Sequence, residues 1–297
     1  MQDDLYDCLV IGGGAAGLTA AVYLGRYRRR ALLIDDGGSR IAKIPRTRNV
    51  LGFPDGIEGP ALLERMRLHA GRYGAQLEIG RVERLELARG GGFEAWAGSR
   101  HVRSRTALLA TGARDIEPDV PGLAAALKEG VVRYCPVCDG YETQGQRVAV
   151  LGRQAHGLRE ALFVAGFGNE VTWLSMASQG AVSAKQLDRL EQAGVRIENR
   201  PLRAIGCGPK RVTVELEDGA QLEFETLYPA LGLVHACGLA TALGARARPN
   251  GQLEVDAHYQ TTVPGLYAAG DVADDLNQIN VAAGQAAIAT TAIHNRL

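Results

Sequence analysis

One turn constrains the fold of this chain more than any other feature. A short apolar run, Asp7 to Ile11, ends in Gly12-Gly13-Gly14-Ala15-Ala16-Gly17 and passes into an apolar-rich stretch, Leu18 to Tyr27. This pattern predicts strand, tight turn and helix, and a second strand, Ala31 to Ile34, closes a βαβ unit at Asp35-Asp36. Glycines serve many turns, so G-x-G-x-x-G alone is a weak signal. Here Asp35 stands 23 positions after Gly12, close to the roughly 20 expected of the acid that binds a ribose 2′-hydroxyl. Gly12 allows the turn, Gly14 lets backbone approach a pyrophosphate, and Gly17 lets helix and strand pack. The pyrophosphate would rest on the helix N-terminus, where unpaired N–H groups and the dipole favour negative charge. The expectation is a dinucleotide site.

The chain then repeats this plan. Val148 to Leu151 reads as a strand, Gly152-Arg153-Gln154-Ala155-His156-Gly157 as the turn, Leu158 to Phe167 as a helix and Val171 to Leu174 as a second strand. Each copy continues into alternating β patterns, Arg81 to Leu87 with Phe93 to Trp96, and Arg211 to Leu216 with Leu222 to Phe224. Each ends in an apolar strand followed by glycine, Ala107 to Gly112 and Leu227 to Gly232. The last block, Gly265 to Ala269, Gly270-Asp271-Val272 and a small-residue helix from Gln278 to His294, has no counterpart in the second copy. We infer an α/β chain of two Rossmann-like (three-layer ββα-type) dinucleotide-binding domains. The first is discontinuous, 1–113 with 243–297, and encloses a second at 114–242.

A chain of 297 residues has outgrown a single core, which agrees with two domains. The 38 glycines and 5% aromatic content suit tight strand-to-helix turns. Lys+Arg 33 balances Asp+Glu 33, so no global field draws nucleic acid or an anionic membrane. No apolar stretch approaches the length of a membrane span. The acidic start, Met1-Gln2-Asp3-Asp4, is unlike a secretory or mitochondrial leader and points to the cytoplasm.

In a reducing compartment five cysteines are informative. Cys8, Cys207 and Cys237 stand alone and read as structural thiols. Cys135-Pro136-Val137-Cys138-Asp139-Gly140 is different, because its spacing lets two sulfurs meet across the first turn of a helix. A structural zinc site would need about four ligands. No second C-x-x-C or His pair supplies them, and His69, His101, His156, His235, His258 and His294 are scattered singly, so no metal is expected. A redox dithiol fits better, since a helix start lowers a thiol pKa and yields the thiolate that exchange needs. Asp139 stands beside Cys138 to move the proton.

Together these motifs resemble the flavoenzyme thioredoxin reductases of the low-molecular-weight type. The resemblance spans essentially the whole chain and rests on Gly12 to Gly17, Asn49 to Pro54, Ala110-Thr111-Gly112, Cys135 to Glu142, and Ala269 to Val272. It implies FAD in the discontinuous first domain, the dithiol in an NADPH-domain-like second domain, a thioredoxin-like protein or small-molecule disulfide as partner, and a homodimer. Carried over, it implies cofactor contacts from Gly12, Gly14, Ala15, Ala16, Gly17, Asp35, Asp36, Arg40, Asn49, Val82, Ala110, Thr111, Gly112, Gly270, Asp271, Gln278 and Ile279. Gly270-Asp271 would hold the ribityl chain and Ala110 to Gly112 would line the flavin. Cys138 would be the sulfur facing the flavin, and Cys135 the one that attacks the partner disulfide, with Asp139 as the third catalytic residue.

The second turn departs from the family. Gln154 replaces its middle glycine, and Ser175-Met176-Ala177 stand where arginines would bind the 2′-phosphate of NADPH. The C-terminal Arg-Gln-Ala stretch reads Asn277-Gln278-Ile279. These changes resemble pyridine-nucleotide-independent members: ferredoxin-linked reductases, dithiol oxidases using oxygen, and forms with a second FAD in the NADPH place. Three readings stand side by side at this point: an enzyme of that kind, a conventional NADPH-dependent reductase, and a flavin redox sensor without turnover.

Overall fold

The computed structural model describes residues 5–176 and 182–297. Met1 to Asp4, Ala177 and Ser178 lie outside the described residues, as does the Gln154 side chain. The first copy of the repeat begins with β1 (Leu5–Ile11), α1 (Ala15–Arg26) and β2 (Ala31–Asp35). It continues through α2 (Gly59–Gly71), β3 (Gln76–Ile79), β4 (Arg84–Leu87), β5 (Phe93–Ala97) and β6 (Arg100–Leu109). After β7 (Ala113–Asp115) come α3 (Leu123–Lys128) and α4 (Pro136–Asp139). The second copy is β8 (Arg147–Gly152), α5 (Gln154–Ala165) and β9 (Glu170–Ser175). Then follow α6 (Ala184–Gln192), β10 (Arg196–Glu198), β11 (Leu202–Gly208), β12 (Arg211–Leu216), β13 (Gln221–Phe224) and β14 (Thr226–Ala230). The chain closes with β15 (Leu233–His235), α7 (Gly238–Ala242), β16 (Leu266–Ala268) and α8 (Ile279–Arg296).

Two compact units result, one of Met1–Arg114 with Val234–Leu297 and one of Asp115–Leu233. The return to the first unit comes at Val234, ahead of the position 243 read from the sequence. In the first unit the sheet runs β3-β2-β1-β6-β5-β4, with β16 also on β6. The length of β6 makes this possible: its first half pairs antiparallel with β5, and Ala107 to Leu109 pair parallel with β16. The strand predicted from Ala107 to Gly112 therefore starts earlier and stops at Leu109, where the chain leaves the sheet for Ala110-Thr111-Gly112. Apolar residues of β1 alternate between two cores. Cys8 and Val10 face the α1, α2 and α8 side with Leu24, Ala286 and Ile293, while Leu9 and Ile11 face Val82, Phe93 and Val102. Each fully buried Leu contributes about 1.5–3 kcal/mol, so the helix–sheet–sheet sandwich follows directly from that alternation.

The second unit has a four-stranded parallel sheet, β10-β9-β8-β14, and an antiparallel sheet, β11-β12-β13. Val148 and Val150 pack with α5 and Trp173, whereas Ala149 and Leu151 face the apolar side of β11 and β12. The helices α2 and α6 are not evident from the sequence. Both are largely exposed and polar, and α6 buries only Leu190.

Candidate functional site

In the first unit the parallel strands β1, β6 and β16 run side by side, so whatever follows their carboxyl ends converges on one edge. Gly12 N–H donates to the Ile34 carbonyl, Ala110 N–H to Ile11, and Ala269 N–H to Leu109, at 2.8, 2.8 and 2.9 Å. Gly12, Ala110 to Gly112 and Gly270-Asp271 thus share that edge. Gly12 adopts φ +106°, and a Cβ there would lie 2.3 Å from the Ala110 carbonyl oxygen. At Gly17 a Cβ would lie 1.8 Å from the Gly12 oxygen, so the helix can start this close to the strand only on glycine. Gly14 differs, since among the described residues the only neighbour of its missing Cβ is the Ser39 hydroxyl, at 3.6 Å. The protein does not require glycine there. A group pressed against the backbone does.

The remaining expected residues surround this turn. Asp35 accepts from Gly13 N–H at 3.0 Å and from Arg67 of α2 at 3.3 Å. Arg40 is bonded to the Asp271 carboxylate at 2.7 Å. Asn49 donates to Gln278 at 3.0 Å, and Asn280 donates to the Asn49 carbonyl at 2.9 Å, which straps the 49–54 loop to the start of α8. Thr111 donates to the Ala236 carbonyl at 2.7 Å. Ala15, Ala16 and Val82 are buried, and Ile279 packs on the α1 side. Asp36 stands apart, because its carboxylate accepts from Gly38 N–H within its own loop.

Two further residues belong here that sequence reasoning does not find. Gln285, buried on α8, accepts from Gly270 N–H at 2.7 Å, and a lone glutamine in an Ala- and Ile-rich helix is the available signal. His235 donates Nδ1–H to the Asp271 carbonyl at 2.6 Å. Its isolation in the sequence suggests only a surface or packing residue.

In the second unit Cys135 and Cys138 form a disulfide at the start of α4. Cys138 N–H donates to the Cys135 carbonyl at 2.9 Å, and Pro136 sits in the first turn, where its missing N–H costs nothing. Asp139, 8% exposed, accepts from the Tyr228 hydroxyl at 2.7 Å and from Arg133 at 3.3 Å. Burial pushes its carboxyl above the ordinary range, against the opposing pull of Tyr228 and Arg133. Val137, between the cysteines, is half-exposed, and Tyr141 is exposed. The other three cysteines are free: Cys8 is buried in β1, with burial pushing its thiol up to about 12, and Cys207 and Cys237 are half-buried.

The second glycine turn is built differently from the first. Gly152 is the last residue of β8 and does not take the left-handed conformation of Gly12. Its carbonyl accepts from Trp173 Nε1 at 3.1 Å and from Met176 N–H at 3.2 Å. A Cβ on Gly157 would lie 2.7 Å from both the Gly152 carbonyl carbon and Trp173 Nε1. Ser175 pairs in register with Gly152 at the end of β9, the place that Asp35 holds at the end of β2. Among the described residues no group of three or more His, Cys, Asp and Glu side chains could hold a metal ion. None of their helices is long and apolar enough to cross a membrane.

A dinucleotide turn in one unit and a redox dithiol in the other define a flavoprotein disulfide oxidoreductase of the thioredoxin reductase-like class. The chain belongs to the pyridine nucleotide-disulphide oxidoreductase family, whose model matches residues 6–286. Over 307 residues it is 31% identical to an alkyl hydroperoxide reductase of Pseudomonas putida, covering 99% of this chain and 58% of that protein. It is 29% identical to thioredoxin reductase of Bacillus subtilis, covering 99% of this chain and 95% of that one. The crystal structure of HlmI superposes with a TM-score of 0.90 at 29% identity, covering 100% of this chain and 93% of the other. The chain thus spans little more than half of the first relative and nearly all of the second. FAD is the cofactor of this class, and the open cradle at Gly14 together with the uncapped start of α1 fits its diphosphate.

Proposed function

We propose that this protein passes electrons between FAD, held on the Gly12 to Gly17 turn, and the Cys135–Cys138 dithiol, and between that dithiol and a protein or small-molecule disulfide. The observation that carries this reading is the closed Cys135–Cys138 pair with a buried carboxyl beside it. When bound, FAD supplies or accepts the electron pair. The chain's own residues do the rest. Backbone N–H groups at the start of α1 hold the diphosphate, Asp35 takes the ribose, and Arg40, Asp271 and Gln285 fix the loop that meets the ribityl chain. Ala110 to Gly112, Asn49, Gln278 and Ile279 complete the cofactor wall.

The exchange step balances within the chain and its partner. The Cys135 thiolate attacks one sulfur of the partner disulfide, whose S–S bond breaks, and the departing thiolate takes up a proton. Cys138 then attacks Cys135, reforming the Cys135–Cys138 bond and expelling the partner's second sulfur, which is also protonated. The partner gains two electrons and two protons, and the dithiol loses the same. Asp139, neutral more readily than an ordinary carboxyl because it is buried, carries one proton in that transfer.

NADPH is not the ordinary donor in this reading. Two missing charge-assisted contacts, each worth about 1.5–3 kcal/mol, weaken a nucleotide by roughly 10² to 10⁴. Ser175 in the place of an acid and the strand-like Gly152 support the same view. Ferredoxin or oxygen is the alternative electron partner, with a second FAD in the second turn as a further form. The partner disulfide is thioredoxin-like, as the names of the relatives suggest. The unpaired Cys8, Cys207 and Cys237 support a cytoplasmic protein, and the family resemblance supports a homodimer.

Purified protein should be yellow, with one FAD per chain, and should turn over a disulfide or dithiol repeatedly. Colourless protein that cannot be reconstituted with FAD would overturn the proposal. A single stoichiometric reaction that then stops would replace it with the sensor reading.

A further inference from the structure

The dithiol helix is anchored by an unusual neighbour. Segment 131–133 runs beside β14, with a parallel bridge between Val132 and Leu227 and hydrogen bonds from Leu227 N–H to the Val131 carbonyl and from Arg133 N–H to the Leu227 carbonyl. That register brings Arg133 level with Tyr228, the next residue of β14, just before the chain turns into Cys135. Arg133 Nε–H is spent on the Gly130 carbonyl at 2.9 Å, which fixes the guanidinium and leaves its NH1 to reach Asp139 Oδ2 at 3.3 Å. Tyr228 is 1% exposed in a strand that is buried throughout. A phenylalanine would fill that space. A buried hydroxyl costs free energy unless it is paired, and its partner is Asp139 Oδ1 at 2.7 Å. The carboxylate is thus held at both oxygens from two separate segments, both outside α4.

We propose that Tyr228 and Arg133 are positioning residues that hold the Asp139 carboxyl as the proton carrier of the Cys135–Cys138 pair. The proposal rests on the role given to Asp139 above. The groups facing Asp139 are Tyr228, Arg133 and Glu142. Burial raises its proton affinity most, Glu142 raises it further, and Tyr228 and Arg133 lower it. Asp139 in turn helps hold the Tyr228 phenol above its ordinary range, second to burial. The two contacts therefore bring a buried carboxyl back towards the range in which it can both give and take a proton near neutrality.

Two readouts on the FAD-loaded protein test this. In the first, protein reduced with dithiothreitol and desalted anaerobically is mixed with hydroxyethyl disulfide across pH, and free thiols are counted after acid quench and alkylation. In the second, the Asp139 carboxyl band is followed by infrared difference against Asp139→Asn. Tyr228→Phe should move the Asp139 midpoint, and the exchange limb that Asp139→Asn abolishes, to higher pH by about one to two units. Arg133→Gln should move both in the same direction, and Arg133→Lys should recover part of the shift. An unchanged or downward midpoint in Tyr228→Phe and Arg133→Gln overturns the proposal, whatever happens to Tm. An Asp139→Asn protein with undiminished exchange would instead remove Asp139 from the proton path. In that event the infrared midpoint still decides whether Tyr228 and Arg133 hold the carboxyl.

Discussion

The turns at 12–17 and 152–157 occupy the same place in two copies of one plan, and their differences separate what folding needs from what a ligand needs. Both keep glycine where helix and strand touch: Gly12 with Gly17, and Gly152 with Gly157. In each pair an added Cβ would run into backbone of its own unit. They diverge at the middle glycine, the only one whose missing Cβ the fold leaves nearly unopposed in the first copy. Gly14 is retained there, and Gln154 stands in its place in the second. They diverge again at the end of the next strand, Asp35 against Ser175. Trp173 closes the difference, since its indole donates to the Gly152 carbonyl and ties the second turn to its own sheet. The second copy has kept the scaffold and changed the ligand positions, while acquiring the dithiol ahead of β8.

The largest expected effects concern that acquired function. Cys138→Ser should abolish dithiol-to-flavin transfer. Cys135→Ser should leave a Cys138 thiolate against the oxidised flavin, seen as long-wavelength charge-transfer absorbance, and the reverse pattern would exchange the two roles. Asp139→Asn should slow turnover by roughly 10² to 10⁴. It should also stabilise the protein at neutral pH, because burial raises the folded carboxyl above its ordinary 3.8. Below that value the unfolded and folded carboxyls are both neutral and the residue carries no penalty. As pH rises towards the folded pKa, the unfolded chain loses its proton first and stability falls. The Tm gain of the variant, on the order of a few degrees, should therefore grow with pH in thermal scans.

Smaller effects sharpen the contrast between the turns. Gly14→Gln makes the first turn resemble the second, and should weaken FAD by about 10- to 10²-fold, the loss of one charged backbone contact, without lowering the Tm of the apoprotein. A large fall in apoprotein Tm would mean that Gly14 is structural after all. Smallest is Arg67→Gln, which removes a partly exposed ion pair to Asp35. Pairs of this exposure are worth about 0–1 kcal/mol, so equilibrium titration should show FAD affinity changed by less than about fivefold.

Much of this arrangement is legible in the sequence because short-range chemistry carries it. The strand–glycine–helix pattern, the return of the last block to the first unit, and the C-x-x-C beside an aspartate all depend on residues close in sequence. What escapes is set by contacts between distant segments. Tyr228 stands 89 positions from Asp139, and nothing in Thr226–Ala230 marks it as more than a buried strand. The early end of β6 at Leu109 is hidden because Ala110 continues the apolar run. Asp36 reads as a cofactor residue with Asp35 on adjacency alone, yet its carboxylate closes its own loop. The helices α2 and α6 carry polar faces that solvent rather than the core accepts, so hydrophobic periodicity is weak as a guide to both.

The central claim is that the first turn serves FAD while the second no longer serves a pyridine nucleotide, and anaerobic stopped-flow mixing tests it most directly. Flavin absorbance is followed after adding micromolar NADPH or NADH, and in parallel after adding dithiothreitol or reduced ferredoxin. The expected result is slow or absent bleaching with either nucleotide and rapid bleaching with a dithiol or ferredoxin. Flavin reduction by micromolar NADPH at catalytic rates would contradict it, and would mean that other side chains, Arg153 or Arg159 of the second turn and its helix, have taken over the phosphate.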